Sequence, residues 1–331
     1  MTAWSAPQPA ESRIWKHGMK MKRRFEPWTV LQRAAAAAGL SVLLAACGGN
    51  TSQVESFTPT RLVAFGDEAS AFAAGGQKFT VNDAVNGCRA LPIWTQVMAD
   101  GYGFGFDECP VGAGAQKAVS RAAAGATAAS LAGQVAAQAD LGRGDLVTVL
   151  LGANDVKALY AESLTPTSRA RDALLADAHS RGVALGQQLS AITDRGARLV
   201  VSTVPDLGLS PFGIAAGTAG AALLTSLGLE LNRGLRNNLP GTSSTGGDGS
   251  KVALVFADDL VKAASADPGS LGLTNASTAA CAAALPACTT ATLATGADAS
   301  TWLWADDTWF AYGGHKQLGA LALTRARNNP F

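Results

Sequence analysis

Four short runs constrain this chain more than any other feature: Leu62–Phe65 (LVAF), Asp145–Leu151 (DLVTVLL), Leu199–Val204 (LVVSTV) and Val252–Phe256 (VALVF). Each is apolar at successive rather than alternate positions, so as a strand it is suited to burial on both faces. Longer stretches with helical spacing lie between them. Leu91–Asp100, Ser130–Ala139, Ser168–Thr193, Ala219–Asn238 and Gly313–Arg327 read as helices, and Arg325 and Arg327 suit the carboxyl end of the last one. Such strands alternating with helices predict an α/β fold with a mostly parallel sheet covered by helices on both faces. Ligands in such folds bind outside the carboxyl ends of strands, which points to the turns after Phe65, Leu151 and Val204.

With 48% apolar and 15% charged residues, the 331-residue chain can fill a sizeable core and is not a disordered polypeptide. Its formal net charge of +1 gives no support to nucleic-acid binding through a basic surface. The basic residues are also unevenly placed. Lys20, Lys22, Arg23, Arg24 and Arg33 precede the 13-residue apolar run Ala34–Ala46, which ends at Cys47. A positive segment, a short apolar segment and a small-residue exit describe a secretory signal, and the run is well short of the roughly 20 residues needed to span a bilayer. Leu44-Ala45-Ala46-Cys47 resembles the bacterial lipobox, which implies acylation of Cys47. Gly48 rather than Asp after that cysteine implies, for a Gram-negative lipoprotein, the outer membrane. Met1–Gly18 add nothing a signal needs, so translation is expected to start at Met19 or Met21. Removing residues 1–46 takes away seven basic and two acidic side chains, leaving 19 and 23 and a net charge of −4. The expected organisation is a signal at 1–46, a polar tether at 47–60 and one domain at 61–331, with Gly241–Ser250 (GTSSTGGDGS) as a surface loop.

Four cysteines remain after Cys47, and in an oxidising compartment an even number favours two disulfides with three possible pairings. The local pairs Cys88–Cys109 and Cys281–Cys288 are favoured, because Gly- and Pro-containing stretches let each loop close. Zinc is disfavoured by the lack of a C-x-x-C and by only three histidines; no metal or other cofactor is expected.

The turns carry clusters in a set order: Phe65-Gly66-Asp67-Glu68-Ala69-Ser70, Ala124-Gly125-Ala126-Thr127, Leu151-Gly152-Ala153-Asn154-Asp155, Val204–Pro211 (VPDLGLSP), and Trp304-Ala305-Asp306-Asp307-Thr308-Trp309 followed by His315. In this order and spacing they resemble the GDSL, or SGNH, lipases and esterases, from about Leu62 to Leu323. The resemblance implies a three-layer, flavodoxin-like fold and carboxyl-ester hydrolysis. It also makes Asp267–Cys281 the loop before the last strand. It places a serine nucleophile at the end of GDS, oxyanion donors at Gly125 and Asn154, and a D-x-x-H acid and base beginning at Asp306. Such chemistry needs a base to take the hydroxyl proton and preorganised donors for the oxyanion. Here the nucleophile position holds Glu68 and the base position Trp309. A carboxylate attacking an ester would give a strained anhydride, and indole offers only an N–H donor.

Three readings follow. In the first the domain is a catalytically silent lipoprotein that keeps its cleft for an acyl or glycan ligand or for structure. Glu68 then occupies the oxyanion site, accepting from the Gly125 N–H and Asn154. In the second it is an active esterase acting on acyl esters, lysophospholipids or O-acetylated glycans, either through a relocated Ser70 and His315 or through Asp/Glu with water. A purely structural envelope protein is a third possibility. Outside the family frame, Asn154 and Asp306 also read as helix or turn caps, Gly125 as a turn glycine, and His315 as a capping or packing residue. Trp302 and Trp304 are expected in the core and Trp309 at the cleft.

Overall fold

In a computed structural model, the described residues are 57–110, 116–241, 251–329 and 331. The expected signal, Cys47, most of the tether and all but the first residue of the Gly241–Ser250 loop lie outside them.

Six parallel strands form the central sheet: β1 (Arg61–Gly66), β2 (Gly105–Phe106), β3 (Gln116–Ser120), β4 (Asp145–Leu150), β5 (Arg198–Ser202) and β6 (Val252–Val255), in the order β2-β3-β1-β4-β5-β6. Each of the four sequence-predicted strands is present. Successive side chains along them enter opposite cores, as the two-residue strand period requires. Leu62, Ala64, Leu146, Leu150 and Val200 face one core; Val63, Phe65, Val147, Val149, Leu199 and Val201 face the other. The first core is covered by α1 (Trp94–Gly101), α3 (Ala153–Ser163), α7 (Gly217–Asn237), α8 (Ala257–Ala266) and α9 (Tyr312–Asn328). The second is covered by α2 (Leu131–Ala136) and the carboxyl-terminal part of α4 (Arg171–Gln188), with α5 (Ser190–Thr193) beyond it. A short α6 (Pro211–Ala215) precedes α7. Helices α4 and α7 cross so closely that a Cβ on Gly182 would lie 1.9 Å from the Leu231 carbonyl oxygen, and one on Gly234 2.2 Å from that of His179.

Several boundaries differ from the sequence reading. Pro92 disfavours helical backbone at Leu91, so α1 begins at Trp94. The expected helix at Ser168–Thr193 starts three residues later and divides at Leu189. Strand β3 escapes the sequence reading because its first two residues, Gln116 and Lys117, are exposed. Asp267–Cys281, expected as a loop, contains β7 (Asn275–Ala279), which pairs in parallel with β8 (Trp302–Trp304) outside the main sheet. The end of the expected tether is docked: the Phe57 ring meets Phe331 edge-on at 5.5 Å, and the Thr60 N–H donates to the Gly144 carbonyl at 2.8 Å. Trp304 is fully buried, but Trp302 is only half-buried. Both local disulfides, Cys88–Cys109 and Cys281–Cys288, are formed.

Candidate active-site cleft

The order β3-β1-β4 places successive crossovers on opposite sides of β1, and the crevice at such a reversal is the ligand position of doubly wound sheets. The turns leaving β1, β3 and β4 carry Glu68, Gly125 and Asn154, and all three meet there. Glu68 Oε1 accepts the Gly125 N–H at 2.8 Å, and Oε2 accepts from Asn154 Nδ2 at 2.8 Å. Gly125 has φ +75°, a conformation side-chain-bearing residues rarely adopt, so glycine suits the turn that presents this N–H. Asn154 is not a helix cap. It is the second residue of α3, and its Nδ2 also donates to the Ala126 carbonyl at 3.0 Å, tying the β3 turn to the β4 turn. Next to it, Asp155 accepts the Ala128 N–H at 2.7 Å and pairs with Arg181 at 3.1 Å, which fixes the start of α3.

Asp306 and Trp309 border the same cleft, a depression of about 420 Å³. Asp306 Oδ1 accepts the backbone N–H groups of Thr308 (2.8 Å) and Trp309 (2.6 Å), which is the turn-capping arrangement. Burial raises the Asp306 carboxyl above its ordinary range, against the pull of those two N–H groups. Trp309 retains 8% exposure. The sequence reading missed Phe79, Ala284, Leu285 and Asp307, which complete the wall, and Lys157, whose Nζ donates to Thr308 Oγ1 at 3.1 Å. Asp307 lies within the Trp304–Trp309 cluster and Lys157 two residues past Leu151–Asp155, whereas Phe79 and Leu285 come from loops whose sequence carries no signal of the cleft. Asp67, beside Glu68, is fully buried: Oδ1 accepts the Ala69 N–H, while Oδ2 has no partner among the described residues. Burial, reinforced by the charge of Glu68, lifts the Asp67 carboxyl well above the usual range.

Ser70 and His315 are both fully buried and are not among the residues lining this cleft. Ser70 Oγ accepts the Trp94 indole N–H at 3.0 Å. His315 Nδ1 accepts the Trp94 backbone N–H at 3.3 Å, which leaves the proton of the neutral ring on Nε2. Burial, with a smaller contribution from the Lys78 charge, depresses the imidazole to about 3. Among the described residues, no three His, Cys, Asp or Glu side chains gather as metal ligands.

No family model matches the chain, and no curated protein matches it in sequence. Similar solved structures include the acetylxylan esterase Axe2 from Geobacillus stearothermophilus, 12% identical over 82% of this chain and 96% of that one, with a TM-score of 0.42. An alpha/beta hydrolase from the metagenome of Lake Arreo is 13% identical over 82% of this chain and 96% of its own, also with a TM-score of 0.42. A member of the lipolytic G-D-S-L family from Veillonella parvula is 8% identical over 80% of this chain and 96% of that one, with a TM-score of 0.39.

Proposed function

We propose that the chain is a catalytically silent relative of the SGNH/GDSL ester hydrolases. In this reading it is exported, anchored to the outer membrane through a lipid on Cys47, and retains its cleft for an acyl or glycan ligand. One observation carries the reading: the Glu68 carboxylate sits on both the Gly125 N–H and Asn154 Nδ2, each at 2.8 Å. Ester hydrolysis needs such donors free for the oxygen that becomes an oxyanion, and each donor is worth about 10²–10³ in rate. A resident carboxylate occupies the donors and places like charge where the oxyanion would form. Proton transfer is missing as well. The D-x-x-H frame retains Asp306 but ends in Trp309, whose indole cannot accept a proton, and Asp306 is committed to backbone N–H groups. A relocated Ser70–His315 pair gains no support, because each is buried against Trp94.

The test compares wild type with Glu68→Ser/Trp309→His on short-chain nitrophenyl esters and a fluorophosphonate probe. Wild type is expected to show neither turnover nor labelling, and the double variant is expected to gain both, with the label at position 68. Labelling of any wild-type serine would overturn the silent-enzyme reading. Anchoring is tested separately, since Cys47→Ser should move the protein from the membrane to the soluble fraction. An unchanged membrane fraction would sink the lipid anchor.

A further inference from the structure

The Val204–Pro211 cluster plays no part in the cleft, yet it leaves the carboxyl end of β5. Between this turn, α7 and α8 lies a separate cavity of about 150 Å³ bordered by Val204, Asp206, Gly228, Leu229, Asp258 and Lys262. Asp206 is 6% exposed. Its Oδ1 accepts from the Gly208 N–H at 3.1 Å and Thr225 Oγ1 at 2.7 Å, while Oδ2 finds neither a hydrogen-bond donor nor a cation among the described residues. Asn232 is turned to the Val204 backbone instead, its Oδ1 accepting at 2.8 Å and its Nδ2 donating at 3.0 Å, and it makes no hydrogen bond to Asp206. Asp258, 4% exposed, accepts from Thr203 Oγ1 at 2.6 Å. Its Oδ2 stands 3.7 Å from Lys262 Nζ, which lies closer, at 3.3 Å, to the exposed Asp259. Lys262 thus serves Asp258 and Asp259, and no ion pair reaches Asp206, although a buried carboxylate without a counter-charge is unfavourable.

The cavity floor points the same way. Gly228 is buried in the middle of α7, where glycine weakens a helix. Gly182 and Gly234 are explained by close helix contact, but a Cβ on Gly228 would meet no atom within 4 Å. Close packing does not call for this glycine, and its missing side chain enlarges the cavity. Val204 and the half-exposed Leu229 give the wall an apolar side, beside Thr225 and Asn232.

We infer that this cavity binds a small primary alkylammonium. Its ammonium donates to Asp206 Oδ2 within reach of Asp258, and its hydrocarbon lies over Gly228 against Val204 and Leu229. A cavity of this size takes a benzene-sized guest, hence a chain of about four to six carbons. The site is independent of the ester-hydrolase reading. The test titrates n-butylammonium chloride, with n-butanol as its neutral counterpart, and follows methyl resonances of Val204 and Leu229 and the indole resonance of Trp309. The expected result is saturable shifts at Val204 and Leu229 with the amine, none with the alcohol, and no response at Trp309. Asp206→Asn, which keeps an acceptor for Gly208 and Thr225, should weaken binding at least tenfold, and Gly228→Leu should abolish it by filling the floor. The inference is overturned by any of four results: no saturable shift, equal response to butanol, shifts centred on Trp309, or undiminished binding in Asp206→Asn.

Discussion

Glu68 and Ser70 stand two residues apart on one turn, yet they belong to different regions of the molecule. Glu68 faces a cleft and satisfies two donors offered by other turns. Ser70 is fully buried in a closed cluster where Trp94 donates its indole N–H to Ser70 Oγ and its backbone N–H to His315 Nδ1. The chain thus keeps a hydroxyl and an imidazole near its carboxylate turn, but each serves the packing of one tryptophan. Among the described residues, the cleft is lined by Glu68, Asp306 and Asp307 and by no histidine. A residue type near a motif says little until its partners are known, because the same hydroxyl is reactive beside a base and structural beneath an indole.

The largest test of this contrast is Trp94→Ala. Trp94 is fully buried in the first core, so its truncation is expected to lower stability by about 3–5 kcal/mol in denaturant unfolding. A loss under about 1 kcal/mol would mean that the closed cluster is not structural, and the contrast would fail. A second test uses acid. His315 has a folded pKa of about 3 against an ordinary value of 6.5. Between those values the unfolded chain binds a proton that the folded chain refuses. The contribution is therefore complete above about pH 6.5 and declines as pH falls toward 3, by up to about 1.4 kcal/mol per pH unit. Unfolding measured across this range should show that slope in wild type and lose it in His315→Leu. An identical slope in both would show that His315 is not the neutral, buried partner of Trp94.

Most of the sheet was legible in the sequence because β1, β4 and β5 are buried on both faces, which leaves a continuous apolar run, and the edge strand β6 keeps such a run although Val252 and Leu254 are only partly buried. Strand β3 was not, because its exposed Gln116 and Lys117 interrupt the pattern. Neither was β7, whose Asn275–Ala279 sequence is polar and small and pairs only with β8 outside the main sheet. The meeting of Glu68, Gly125 and Asn154 could be expected from the resemblance of their clusters to the GDSL family, whereas the strand pattern alone placed only Glu68 and Asn154 at strand ends, β3 being unread. The role of Asp306 stayed ambiguous, since an aspartate three residues before Trp309 reads equally as an orienting acid or a turn cap. Only the two N–H groups on its Oδ1 reveal the cap. Phe79 and Leu285 were invisible, because chain reversals rather than local spacing carry them to the cleft.

The smallest expected effect sharpens the cleft side of the contrast. Glu68 is half-buried, so Glu68→Ala should reduce stability only modestly, by about 0.5–1.5 kcal/mol, as the Gly125 N–H and Asn154 Nδ2 lose a charged acceptor. The vacated donors then form a place for a small carboxylate. Adding formate should restore the lost stability in Glu68→Ala and leave wild type unmoved, because a ligand stabilises only the state in which its site is open. Thermal unfolding at increasing formate, with sodium chloride matched for ionic strength, separates this from general salt effects. Equal stabilisation of wild type would mean that its donors are free despite Glu68. The silence proposed for the cleft would then need another explanation, because the Gly125 N–H and Asn154 Nδ2 would still be available to an ester oxygen.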